Sequence, residues 1–320
     1  MMSRPDFLYK QIIFFQTIAK EKLSFRADNL IISDEDGNIK LQHSCHKCFA
    51  LFIIGNITVT SVLLKKAKFY GFPVFLLNSN FHLDCVIGNA AEGNTLLRKK
   101  QYGNNTIVPF IARELIRQKI INQSSLLKML RSPAKIDRLG ADVLSNSANL
   151  LPLDRNTLMG QEGQASRVFF KLYFRNFNWK RRAPRCREDI NNLLLDIGYT
   201  YLFNFMECML NLYGFDLYCG VHHTFFYQRK SLVCDIMEPF RCIIDHRLRK
   251  AHTLKQISQD DFFFDRDHWE LKYASQHHYV KLFMKDILER KEDIFKFVRA
   301  YYLWFMKDNP EINNFPVFQI

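Results

Sequence analysis

The apolar residues of this chain change their repeat near residue 94, and that change limits the fold more than any single motif. Before it, strand-like pieces alternate with turn residues. Leu23-Ser24-Phe25-Arg26 and Leu30-Ile31-Ile32 precede Asp34-Glu35-Asp36-Gly37, and Ile39-Lys40-Leu41 follows it. Asp-Gly between alternating segments is a hairpin signal. Residues 49–54 read as a buried strand. Residues 58–70 have helical spacing, with Val59, Val62, Leu63 and Phe69 apolar and Lys65, Lys66 and Lys68 polar, and Gly71 closes that helix. Residues 74–77 and 81–87 read as strands around the turn Asn78-Ser79-Asn80. Beyond residue 94 the spacing predicts helices over 96–101, 107–121, 126–129, 141–150, 163–177, 190–213, 235–250 and 273–306. The expected architecture is α+β in two domains, a small β-rich one over 1–93 and a larger all-α one over 94–320.

The 320 residues are 48% hydrophobic and 24% charged, which suits a core-forming protein and excludes a disordered chain. With 45 Lys+Arg against 32 Asp+Glu the net charge is +13, which fits a polyanion: nucleic acid or an acidic membrane surface. The apolar runs are strand-sized, so no transmembrane helix is expected. Met1-Met2-Ser3-Arg4-Pro5-Asp6 carries an acid ahead of its apolar segment and no cleavage pattern follows, so no signal peptide is expected. Eight cysteines scattered through apolar contexts suggest reduced, cytoplasmic thiols. No GxxxxGK[ST], GxGxxG or GxSxG motif occurs.

Four constellations carry possible chemistry. Arg167, Lys171, Arg175, Lys180, Arg181, Arg182, Arg185 and Arg187 form a run with no acid until Glu188, interleaved with Phe169, Phe170, Tyr173, Phe174, Phe177 and Trp179. Steps of four put Arg167, Lys171 and Arg175 on one helical face, suited to a row of phosphates or simply to solvent over an aromatic core. Second, Gly220-Val221-His222-His223 precedes Asp235 and Glu238, spaced i and i+3 at the expected start of a helix. Such carboxylates with an imidazole suit Mn2+ or Mg2+ better than structural zinc, though an acid pair also complements a helix dipole. Third, Glu162 stands between Gly160 and Gly163, where a backbone or ligand can approach closely, or where an acid serves a helix N-terminus. Fourth, Cys45-His46-Lys47-Cys48 lacks a second ligand pair and reads as buried thiols. Asp260-Asp261 beside Phe262-Phe263-Phe264 reads as a helix start and packing segment, and His277-His278 as surface.

In order along the chain, these segments resemble the CRISPR-associated integrase family, the universal endonuclease-like subunit that inserts new spacers into CRISPR arrays. The resemblance runs through Ile53-Ile54-Gly55-Asn56-Ile57-Thr58, Gly71-Phe72-Pro73-Val74-Phe75-Leu76 and Gly93-Asn94-Thr95-Leu96-Leu97-Arg98-Lys99-Lys100-Gln101. It continues in Met159-Gly160-Gln161-Glu162-Gly163, Asn191-Asn192-Leu193-Leu194, Gly198-Tyr199-Thr200 and Gly214-Phe215-Asp216-Leu217-Tyr218-Cys219-Gly220-Val221-His222-His223. It ends in Ser231-Leu232-Val233-Cys234-Asp235-Ile236-Met237-Glu238-Pro239-Phe240-Arg241. The family implies an N-terminal β domain that dimerises and a C-terminal helical catalytic domain with a divalent metal, Mg2+ or Mn2+. Residue by residue it makes Glu162 the first ligand, His223 the ligand closing a Gly-x-x-His turn, and Glu238 the last, with Asp235 a neighbouring acid. Two departures are Gln228-Arg229-Lys230, where the family often has Gly-Arg, and His222 as a second imidazole.

The chemistry implied is attack of a 3′-hydroxyl on a phosphodiester, with hydrolysis as the same step by water. Implied partners are double-stranded DNA (spacer precursor and repeat), a second copy of the chain and a small companion protein in the prokaryotic cytoplasm. The basic run 167–187 leads out of the expected metal site and makes DNA, not a membrane, the polyanion. Arg98, Arg241 and Arg249 are further phosphate candidates. A nuclease of branched DNA and a non-enzymatic DNA-binding protein remain alternatives.

Overall fold

Residues 48–54 carry no charged side chain, and the structure puts them at the centre of a sheet. The computed structural model describes residues 9–17, 21–78, 83–88, 91, 93–103, 106–131, 134–177, 179–223, 226–308 and 310–320. The expected turn at Ser79-Asn80, the first two residues of the strand 81–87, and Met1–Asp6 lie outside them. The chain divides into two compact units, Met1–Arg98 with Glu207–Phe215, and Lys99–Met206 with Asp216–Ile320.

The first unit holds β1 (Gln11–Gln16), β2 (Lys22–Arg26), β3 (Asn29–Ser33), β4 (Ile39–Ser44), β5 (Cys48–Ile54), α1 (Ser61–Tyr70), β6 (Val74–Leu77) and β7 (Leu83–Ile87). Strand β5 is buried along its whole length because both neighbours, β1 and β6, run parallel to it in a sheet of order β1-β5-β6-β7. Helix α1 makes the β5–β6 crossover and ends at Gly71, whose φ of +70° is the left-handed cap expected there. Strands β2, β3 and β4 form an antiparallel sheet. The expected turn before β4 is tied by Asp34 Oδ1, which accepts from the backbone N of Asp36 and Asn38 at 3.1 and 2.9 Å. Sequence reading assigned no element to β1, an edge strand whose partner lies 37 residues away. Cys45 and Cys48 are buried in this unit's core, and burial pushes the Cys48 thiol up to about 12.

The helices that follow are α2 (Thr95–Tyr102), α3 (Val108–Lys128), α4 (Lys135–Asn149), α5 (Arg155–Tyr173), α6 (Ile190–Asn211), α7 (Ser231–Ile236), α8 (Arg241–Thr253), α9 (Gln276–Glu289) and α10 (Lys291–Phe305). The region is mostly helical but not all-α. Phe262–Asp265 (β8) and His268–Leu271 (β9) form a hairpin where a helix start was expected, its turn residues Arg266 and Asp267 both at positive φ.

Several helix boundaries also differ from expectation, and α4 starts six residues before the expected 141. The polar stretch after residue 121 does not end α3, because Asn122 donates to the carbonyls of Pro239 and Phe318 and Ser124 to that of Ala141. Helix α5 begins well before residue 163, capped by Asp154, which accepts from the Thr157 N–H at 2.9 Å. The expected helix over 235–250 is split by a 3-10 turn at Glu238–Phe240, where Pro239 can give no backbone N–H. The expected helix over 273–306 is two, broken at Arg290. Among the described residues no helix is long and apolar enough to cross a membrane.

Candidate active site

Three separate elements deliver one cluster of charge. Glu162 lies inside α5, Glu238 in the turn after α7, and Lys119 on the buried face of α3. Lys119 Nζ stands 2.5 Å from Glu162 Oε1 and 2.8 Å from Glu238 Oε2. Arg241, one helical turn beyond Glu238, brings its Nε to 2.9 Å from the same Oε2. The two approaches to Glu238 are close charge contacts and not aligned hydrogen bonds. Burial disfavours every charge here. For Glu162, Lys119 and the His222 hydrogen bond outweigh burial and hold the carboxyl well below the ordinary range. For Glu238, Arg241 and Lys119 do the same, and the two glutamates in turn hold Lys119 above its ordinary value despite burial.

The imidazole beside Glu162 is that of His222, with Nε2 3.1 Å from Glu162 Oε2. It is 1% exposed, and its Nδ1 is buried with no hydrogen-bond partner among the described residues. His223, expected at this place, faces Asp235, with its Nδ1 2.5 Å from Oδ1. Asp235 is fully buried and also accepts from the backbone N of Val221 at 2.6 Å, His222 at 2.9 Å and His223 at 3.1 Å. One carboxylate thus clamps the turn that aims both imidazoles. Gly220 makes that possible: a Cβ there would lie 2.6 Å from Ser231 Cβ and 2.9 Å from Asp235 Oδ2. The glycines flanking Glu162 play a different part. Gly160 and Gly163 have open space where a Cβ would stand, so among the described residues nothing packs against them there.

A second polar cluster is linked to the first through Arg241, whose guanidinium lies 4.7 Å from the Tyr199 ring centre. Tyr199 donates to Asp245 Oδ1 at 2.5 Å, and burial pushes the Asp245 carboxyl up to about 7. Gly198 lets α6 come this close to α8, since a Cβ there would meet Ile244 Cγ2 at 2.5 Å.

The basic run splits in two. Arg175 pairs with buried Asp137 at 2.8 Å, Arg181 with Glu188 at 3.0 Å, Arg182 with Asp196 at 2.5 Å and Arg187 with Glu270 at 3.6 Å. Arg167, Lys171, Lys180 and Arg185 are exposed and make no ion pair among the described residues. Arg249 stacks on Tyr173 and Phe177 and donates to the Tyr173 carbonyl, and Arg98 donates to that of Gly214. Asp137, Asp196 and Glu270 lie outside the run and are invisible to a count of neighbouring acids, whereas Glu188 is the acid that ends it. Lys119 was also missed. Its one sequence signal is a lysine spaced with Leu115, Ile116 and Ile120, where a charge needs a buried partner.

Among the described residues no set of three His, Cys, Asp or Glu side chains already stands ready to hold a metal ion. Lys119 explains this, because its ammonium lies between the glutamates. The donor types still suit a hard divalent cation, two carboxylates already sharing one positive charge beside an imidazole.

A β-rich N-terminal region followed by a mostly helical one, with Glu238, His222 and Lys119 buried beside a half-buried Glu162 and with exposed cations further along the same helix, has the outline of a nucleic-acid-processing protein. The chain belongs to the CRISPR associated protein Cas1 family, whose model matches residues 16–285. A CRISPR-associated endonuclease Cas1 from Thermodesulfovibrio yellowstonii is 28% identical over 269 residues, covering 78% of this chain and 83% of that protein. Two solved structures share the fold. One is a chain of a partial Cas6-RT-Cas1–Cas2 complex, with TM-score 0.75, 20% identity and coverage of 97% of this chain and 99% of that one. The other is a casposase bound to integration product, with TM-score 0.71, 17% identity and coverage of 97% and 94%.

Proposed function

We propose that this protein is a metal-dependent DNA integrase and endonuclease of CRISPR adaptation, joining a 3′-hydroxyl to a phosphodiester of the repeat. The observation that carries this reading is the convergence of Glu162 and Glu238 on one buried cation, with His222 on the other oxygen of Glu162. Mg2+ or Mn2+ bound there would polarise the phosphoryl group and stabilise the leaving alkoxide. Glu162, His222 and Glu238 are the proposed ligands, with His222 in the place expected for His223. Asp235 positions the imidazoles, and His223 stands next to them as a polar group on the same turn. Arg167, Lys171, Lys180 and Arg185 are the proposed contacts to DNA phosphates, their charges unspent on the protein itself.

The proposed partners are double-stranded DNA and a small companion protein, in keeping with fold neighbours described as a Cas1–Cas2 complex and a casposase bound to integration product. A second copy of the chain and a place in the prokaryotic cytoplasm belong to the same proposal. The β-rich part over 1–93 is the proposed dimerisation domain, and 94–320 the catalytic one. The test combines purified protein, the companion, Mn2+ or Mg2+, a short duplex with free 3′-hydroxyl ends and a repeat-containing target. Joined strands are expected from the wild type and none from Glu162→Ala or Glu238→Ala. Joining that persists in those variants overturns the site, and cut strands without joined ones make the protein a nuclease.

A further inference from the structure

The cluster around Lys119 is neutral as it stands: Glu162 and Glu238 against Lys119 and Arg241. A buried carboxylate and a half-buried one facing one centre repel unless a cation lies between them. The two cations are not equally held. Arg241 is stacked on Tyr199 and belongs to the helix that follows Glu238, whereas Lys119 reaches in on a flexible four-carbon stem. A divalent ion entering while both stay would leave the cluster with two excess positive charges. Withdrawal of one cation lowers that excess, and the lysine is the one free to go.

We propose that Lys119 is a resident counter-cation, its ammonium holding Glu162 and Glu238 face to face until a divalent metal ion displaces it. The inference rests on the metal site proposed above and adds to it a residue in direct competition with the metal. It accounts for a buried lysine at the centre of an acidic pair. Lys119 is then a positioning residue for the ligands and a brake on metal entry.

The experiment titrates Mn2+ alone into the full-length protein, following free Mn2+ by electron paramagnetic resonance and Lys119 by amine acylation mapped with mass spectrometry. In the wild type, Mn2+ is expected to raise acylation of Lys119, and Glu162→Gln to abolish both the binding and that rise. Lys119→Met is expected to melt lower without metal, and to bind Mn2+ about tenfold tighter than the wild type. Lys119→Arg is expected to bind Mn2+ more weakly, since a guanidinium grips two carboxylates more firmly. Mn2+ binding that Glu162→Gln leaves intact overturns the metal site itself. Binding that Glu162→Gln abolishes, with acylation of Lys119 unchanged by Mn2+ or with Lys119→Met binding no tighter, overturns the role of Lys119 alone.

Discussion

Asp235 holds His223 twice through one oxygen: Oδ1 accepts from the ring Nδ1 at 2.5 Å and from the backbone N at 3.1 Å. With Oδ2 on the N–H groups of Val221 and His222, this carboxylate is the internal scaffold of the turn. Asp235→Ala therefore removes the partner of three N–H groups, that of His222 buried and those of Val221 and His223 half-buried. A loss of about 3 kcal/mol in urea unfolding is expected, together with loss of strand joining. An Ala variant as stable as the wild type would show that the turn holds its shape without the clamp.

The two histidines have different expected phenotypes. His222 touches Glu162 and is buried, so His222→Ala should abolish Mn2+-dependent cleavage and joining to the level of Glu162→Ala. His223→Ala removes one of the bonds to Asp235 and should retain a measurable fraction of the rate. A dead His223→Ala beside an active His222→Ala, in the same single-turnover assay, exchanges the two assignments.

Asp245 makes stability depend on pH. Its folded pKa of about 7 lies above the unfolded value, so its contribution is fully present below that unfolded value and is lost as pH rises through the folded one. The loss is about 1.4 kcal/mol per pH unit over that window. Asp245→Asn cannot ionise, so its stability relative to the wild type should improve from pH 5 to pH 8. Thermal melts at the two pH values decide this, and a constant difference between variant and wild type would count against a buried neutral carboxyl.

Charge in the basic run divides by partner. Arg167→Ala with Lys171→Ala should weaken DNA binding and lower the slope of log affinity against log salt by about 2, leaving stability near that of the wild type. Arg175→Ala should instead cost about 2–3 kcal/mol, because Asp137 is fully buried and loses its cation. Fluorescence anisotropy across a salt series and urea unfolding read the two effects separately. A loss of affinity from Arg175→Ala as large, per charge removed, as that from the Arg167→Ala, Lys171→Ala double variant would mean that Arg175 also reaches DNA.

Much of the framework was readable from local pattern. The buried strand β5, the Gly71 helix end, the Asp34 turn and the change to long helices each depend on residues within a few positions of one another. The candidates Glu162 and Glu238 could be named for a similar reason, standing in short runs whose neighbours are distinctive. Boundaries failed where a local rule met a distant partner. Asn122 looks like the end of a helix until Pro239 and Phe318 accept its amide protons, and Phe262–Phe264 looks like packing for a helix until β9 pairs with it.

The amino-acid sequence by itself determined where the chain turns from strands to helices, that it carries an excess of positive charge, and which acids and imidazoles stand near glycine. Those properties follow from periodicity and composition, which are local. Only the tertiary structure decided that His222 and not His223 meets Glu162, that four of the cations in 167–187 are neutralised by Asp137, Glu188, Asp196 and Glu270, and that Lys119 bridges two glutamates 43 and 119 residues further along. An ion pair depends on distance through space and on exclusion of water, and neither is fixed until α3, α5 and the turn after α7 have packed together.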